Sequence, residues 1–204
     1  SRIDPRLAGI TRRHGLPVTD VATTWCLLAP GLAVRDGVAL GDAAIRRPRI
    51  PGTRRLEREP YATPEDLERA TMVPFRRRRP ALLGMLPLLS TQSASAPETH
   101  LRLMLQEWGL PELTLDFDVR GERGELLGCS EMVFREFRLA CEYEGDHHRI
   151  ETVQWNRDIQ KYRDYARAGW DAIRVTSDLL YRRRNALRGQ ILDALVQRGW
   201  VPSP

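Results

Sequence analysis

Apolar positions along the chain follow two different periods, and the change from one to the other divides it. Up to about residue 90 the spacing is helical. Val21, Trp25 and Leu28 share one face of a helix predicted over 18–28, with Thr19 or Asp20 as its cap, and 39–45 predicts another. Thr63-Pro64-Glu65-Asp66 reads as a helix start, with Thr63 capping and Pro64 at the first helical position. Pro74 and Pro80 interrupt that helix, because proline lacks the amide proton and clashes with the preceding turn.

Past the small-residue run 90–97 (STQSASAP) the elements alternate. Ser95-x-x-Glu98 opens a helix bearing Leu101, Leu105 and Trp108, and Gly109 ends it. Residues 113–119 alternate apolar and polar as a half-buried strand does, and 121–124 form a turn. Strands over 125–134 and 137–143 come next, then Gly145, a helix over 152–167, Gly169, a strand over 170–176 and a closing helix over 179–198. This predicts a mainly helical accessory region over 1–92. Over 93–204 it predicts an α/β domain of order α-β-β-β-α-β-α, with a mixed sheet whose last strand arrives by a helical crossover.

Register brings out candidate chemistry. With a tight two-residue turn at Glu136-Phe137, facing residues have numbers summing to 273, so Glu131 and Glu142 pair directly. Like charges opposed on a sheet are unfavourable by several tenths of a kcal/mol, and a cation between them removes the conflict. Hard carboxylate oxygens suit Mg²⁺ or Mn²⁺. A slip of one residue would place the two side chains on opposite faces. Beyond Glu142 lie Glu144, Gly145, Asp146, His147 and His148, readable as an acidic loop or as a site. Gln154, Asp158 and Lys161 share one face of the following helix, readable as a solvated face or as part of that site. Glu98 is readable as a capping-box residue or as an acid of the site.

Charge changes the picture of partners. The formal net charge is +5, and Lys161 is the one lysine among 32 Lys and Arg residues. Arginine clusters at 46–49, 54–55, Arg76-Arg77-Arg78-Arg79 and Arg182-Arg183-Arg184. GC-rich codon usage explains an arginine excess; so does phosphate contact, for which the planar guanidinium fork is suited. Cys26, Cys129 and Cys141 are too few and too widely spaced for a zinc site or a disulfide framework. No run of eighteen apolar residues and no leader pattern is seen, so no membrane partner and a cytoplasmic location are expected.

From Ser95 to Asp178 the chain resembles a family of mostly actinobacterial proteins related to the very-short-patch repair endonucleases of the PD-(D/E)XK superfamily. The matching pieces are Ser95 to Glu98, Leu101-Arg102, Gly109-Leu110-Pro111, Glu142 to His148, Gln154 to Asp158, and Gly169-Trp170 with Arg174-Val175-Thr176. Residues 15–19 (GLPVT) also look like the segment that precedes this domain in such proteins. The resemblance implies a restriction-endonuclease-like core and Mg²⁺- or Mn²⁺-dependent cleavage of DNA, as an endonuclease or nickase in repair or phage defence, with no organic cofactor. By position it implies metal ligands at Glu131, Glu142 and Glu144, and further catalytic roles for Glu98, His148, Gln154, Asp158 and Lys161, with His147 an alternative to His148. Arg157, Lys161 and the clusters 76–79 and 182–184 would hold the DNA backbone. Glu131 and Glu144 each stand where the family carries Asp. The alternative is a nuclease fold that binds DNA without cutting it, as an antitoxin-like or abortive-infection component.

Overall fold

The computed structural model describes residues 8–145 and 152–202, with the side chains of 152–158 outside the description. The chain forms two compact units: one of the residues up to Arg49 with Arg55–Leu103, the other of Ile50–Arg54 with Met104 onward. The division thus falls inside a helix rather than in the small-residue run. That run belongs to the first unit because Arg102 donates to Ser93 Oγ at 3.2 Å and to Leu88 O at 2.8 Å.

The first unit begins with a hairpin, β1 (Ile10–Arg13) and β2 (Leu16–Thr19), where helix spacing alone had predicted structure only from residue 18. Helices α1 (Val21–Leu28), α2 (Val34–Ile45), α3 (Pro64–Met72) and α4 (Arg79–Met85) come after it. Asp20 caps α1 through Thr23 N at 2.7 Å, and Thr63 with Asp66 makes a reciprocal capping box on α3. The expected break near Pro74 and Pro80 is present: α3 ends at Met72, and Phe75 and Arg78 take positive φ before α4 starts. Trp25, Ile45, Leu67, Leu82 and Met85 form the core, and Trp25 Nε1 donates to Gly37 O at 2.9 Å. Buried Asp42 accepts from Ser90 N, Thr99 Oγ1 and Arg102 Nη2 at 2.7–2.9 Å, which ties the segment after α4 back to α2.

Helix α5 (Ala96–Glu107) leads to the second unit. Its sheet has β3 (Thr114–Arg120), β4 (Leu126–Phe134), β5 (Leu139–Glu144) and β6 (Asp171–Thr176) in that spatial order. The first three run antiparallel, and β6 lies parallel to β5. A parallel neighbour requires a crossover, which α6 (Thr152–Arg167) supplies. The architecture is therefore α/β with a mixed four-stranded sheet. Met132↔Cys141, Val133↔Ala140 and Phe134↔Leu139 carry the expected sum of 273. The turn that sets it is four residues long, not two: a 3-10 turn at Arg135–Phe137 and Arg138 with φ +46°.

Tyr165 of α6 packs on Val119, Val133 and Ala140 beneath the sheet, flanked by Phe117 and Trp170. The closing helix is two helices, α7 (Ser177–Tyr181) and α8 (Arg184–Gln197), because Thr176 caps the first through Leu179 N and Arg182 leaves it. Leu187, Ile191 and Leu195 of α8 bury one face at a spacing of four. Among the described residues no helix is long and apolar enough to cross a membrane.

Candidate active site at the end of β5

β5 is LACEYE, and its first three residues are fully buried, as in a strand covered on both faces. The fourth, Glu142, is 8% exposed, so this carboxylate is carried into the interior by the same apolar run that specifies the strand. A buried carboxylate demands compensation, and three side chains give it. Lys161 Nζ donates to both oxygens at 2.7 Å, Ser130 Oγ to Oε1 at 2.7 Å and Tyr162 Oη to Oε2 at 3.1 Å. The third proton of Lys161 reaches Cys129 O at 2.9 Å, which satisfies all three ammonium donors.

The lysine is caged on its other sides. Tyr162 and Tyr165 stand edge to face, and Lys161 Nζ lies 5.6 and 5.4 Å from their ring centroids, within cation–π range. Gly128 lies close by: a Cβ there would meet Tyr165 Oη at 3.0 Å and Lys161 Cε at 3.1 Å. Ser130 has one proton and gives it to Glu142, so Tyr165 Oη, 2.9 Å away, donates to Ser130. Burial pushes the Tyr165 phenol well above its ordinary value, and the Ser130 bond offsets part of that rise. Burial also pushes the Cys141 thiol up to about 12, helped by the charges of Glu142 and Asp171.

Two more carboxylates flank this centre. Glu131 Oε2 accepts from Tyr143 N at 2.8 Å, which sets its carboxylate against the peptide joining Glu142 to Tyr143. The β3–β4 ladder keeps its register from Leu115↔Met132 to Phe117↔Ser130, yet the intervening Asp116 has φ +48°. Such backbone is costly outside glycine, and Asp and Asn tolerate it best. Glu144 pairs with Arg174 Nη2, and the same guanidinium stands 5.4 Å from the Tyr162 ring centroid. Lys161 thus meets Glu142 directly, while Glu131 binds the amide of the next residue and Glu144 pairs with Arg174.

Other residues singled out from sequence lie elsewhere. Glu98, in the first unit, caps α5: its oxygens accept from Ala94 N at 2.7 Å and Ser95 Oγ at 2.8 Å. His147 and His148 are outside the described residues, as are the side chains of Gln154, Arg157 and Asp158. The run 76–79 is divided. Arg76 is 7% exposed and donates to Ala70 O at 2.9 Å, Arg78 to Pro30 O at 2.8 Å and Arg79 to Val73 O at 2.6 Å, while Arg77 faces solvent. Arg182, Arg183 and Arg184 are exposed, the last 3.5 Å from Glu107.

Ser130, Tyr162, Tyr165, Arg174 and Gly128 are absent from the sequence-derived set. A partial signal existed for the tyrosines, since 158, 161, 162 and 165 share a helical face. Ser130 and Gly128 carried none, as a serine and a glycine in an apolar strand read as ordinary filling.

Among the described residues no three His, Cys, Asp or Glu side chains form a group able to hold a metal ion. Mg²⁺, however, is commonly held by one or two carboxylates, with waters and substrate phosphate completing its shell. Glu142 and Glu131, the latter bound to the amide of the following residue, offer hard oxygen donors suited to a site of that type, whereas Glu144 is paired with Arg174.

Comparison with known proteins adds kinship without function. Uncharacterized proteins from two strains of Mycobacterium tuberculosis are each 27% identical to this chain over 116 residues, 57% of its length. The chain spans less than half, 42%, of those relatives. No family model and no solved structure matches.

Proposed function

We propose that the second unit is a metal-dependent DNA endonuclease or nickase with a restriction-endonuclease-like core. The observation that carries this reading is Glu142, buried at a strand end yet met by Lys161, Ser130 and Tyr162, all donating to its carboxylate. A buried ion pair is weak support for stability alone, which leaves a functional role as the reason for carrying this one. The strand order, with α6 crossing to a parallel β6, supports the same core, and ligands of open α/β sheets bind outside the carboxyl ends of the strands.

In this reading Glu131 and Glu142 hold Mg²⁺ or Mn²⁺, which when bound supplies charge against the phosphate and acidifies a water. Lys161 contributes a fixed positive charge beside the phosphate, and Glu142 orients it. Ser130 and Tyr165 hold Glu142 in place from below. Arg174, through Glu144 and Tyr162, fixes the outer wall. His147 or His148 accepts the proton or contacts phosphate. The exposed Arg77 and Arg182 to Arg184 contact the DNA backbone, which makes binding salt-dependent.

A second reading, DNA binding without cleavage, is favoured by one observation: Lys161 already satisfies both oxygens of Glu142, as a metal would. Supercoiled plasmid with Mg²⁺ or Mn²⁺ separates the two. Metal-dependent nicking by this protein that is lost in Glu142→Ala is the expected result. Salt-sensitive binding with no nicking under either metal would sink the nuclease and leave the binder.

A further inference from the structure

The β1–β2 hairpin takes no part in the carboxylate site, and its features converge on one kind of partner. Residues 9–18 are all exposed, so among the described residues neither face of the hairpin packs on the rest of its unit. A free two-stranded hairpin is marginal in water, yet this one is firmly specified at both ends. At the tip, His14 (φ +49°) and Gly15 (φ +80°) form a two-residue turn between the paired Arg13 and Leu16. Two successive positive φ values match the right-handed twist of the strands. At the base, Asp20 N donates to Gly9 O at 2.8 Å, Gly9 N donates to Thr23 Oγ1 at 3.0 Å, and Thr19 and Thr24 hydroxyls meet at 2.8 Å. Gly9 is required there, since a Cβ would lie 1.8 Å from Asp20 Oδ2. The ribbon is therefore clamped to the start of α1 and projects from it.

Its charge is one-sided. Between Ala8 and Thr19 there are Arg12, Arg13 and His14 and no Asp or Glu. Among the described residues neither arginine meets a carboxylate; Arg12 Nη1 reaches only Gly15 O, at 3.3 Å. Ile10 and Leu16 stand 60% and 66% exposed beside them. Four residues per strand extend roughly 14 Å, enough to enter a DNA major groove about 8.5 Å deep and about 12 Å wide, which admits a two-stranded ribbon.

We infer that this hairpin is a DNA-contacting ribbon, whose Arg12 and Arg13 grip backbone phosphates while the His14-Gly15 tip enters a groove of the duplex. The inference rests on the proposal that DNA is the partner, and it assigns that contact to residues of the first unit, none of which belongs to the carboxylate site.

The test is fluorescence anisotropy of a labelled duplex with the whole chain, over a salt series, comparing it with Arg12→Ala/Arg13→Ala and Arg12→Lys/Arg13→Lys. The alanine pair is expected to bind about tenfold more weakly at low salt, with a salt slope smaller by about 2. The lysine pair is expected to keep most of the affinity, and all three proteins to melt at one temperature. If the unaltered chain binds duplex and the alanine pair binds it with equal affinity and slope, the ribbon assignment is overturned alone, and a protein partner becomes the occupant of the exposed strands. If the unaltered chain binds no duplex at any salt, the DNA reading itself falls and this inference with it.

Discussion

Lys161 donates to both carboxylate oxygens of Glu142 at 2.7 Å, across nineteen positions of sequence, from the crossover helix to the end of the strand it follows. The side chains are 20% and 11% exposed, so water replaces little of what either would lose. Removing one partner from such a pair leaves an uncompensated buried charge, whereas removing both leaves a gap that apolar groups can fill. Lys161→Met is expected to lower the unfolding free energy in urea by about 3 kcal/mol. Glu142→Leu/Lys161→Met is expected to recover most of it. A double-variant loss equal to the sum of the Lys161→Met and Glu142→Leu losses would show that the pair contributes no coupling.

The two flanking carboxylates are predicted to differ. Glu131 accepts from a backbone amide, that of Tyr143, whereas Glu144 is paired with the guanidinium of Arg174. A Mn²⁺-induced rise in melting temperature is therefore expected to shrink in Glu131→Gln and persist in Glu144→Gln. The reverse order would place the cation on the Arg174 side of Glu142.

Neighbouring arginines of the 76–79 run are expected to separate stability from binding. Arg76 is buried on a carbonyl and Arg77 is exposed. Arg76→Ala should cost about 1–3 kcal/mol, through a lost charge-assisted hydrogen bond and lost packing. Arg77→Ala should stay within about 0.5 kcal/mol of the parent and weaken duplex binding at low salt. Urea unfolding and anisotropy on both variants check this, and an Arg77→Ala protein that unfolds early would refute the division.

Cys141 makes a prediction at alkaline pH. Its thiol ionises near 9.0 in the unfolded chain and is pushed up to about 12 in the fold. Between those values the native state keeps a proton that the unfolded state has lost, so stability falls as pH rises through the window. Unfolding free energies measured between about pH 8.5 and 11 should decline more steeply for the parent than for Cys141→Ala. Parallel declines would mean that the thiol is not the group responsible. Tyr165, also raised by burial, adds loss in the same direction above its ordinary value of 10.0 and is common to both proteins.

Much of the architecture is legible in the sequence, and the reasons are local. Thr63 with Asp66, and Ser95 with Glu98, are capping pairs whose geometry is contained in four residues. The apolar run before Glu142 marks a buried strand, and helix 152–167 is legible from end to end. The register sum of 273 is correct although the turn assumed for it is too short, because a turn longer by one residue on each side preserves the sum. The β1–β2 hairpin is not legible: its strands are short and exposed, so they carry no buried face for an alternation to reveal.

By itself, then, the sequence determined the order of elements from α5 to β6 and the strands that carry Glu131 and Glu142, because propensity, capping and periodicity act over a few residues. It could not determine what those acids touch. That Lys161 rather than another cation meets Glu142, that Ser130 and Tyr165 support it, that Arg174 takes Glu144 and that Glu98 serves a helix end were decided only by the tertiary structure. The physical reason is that a buried charge takes the donors that packing brings within about 3 Å, and packing distances belong to the whole fold rather than to any stretch of chain.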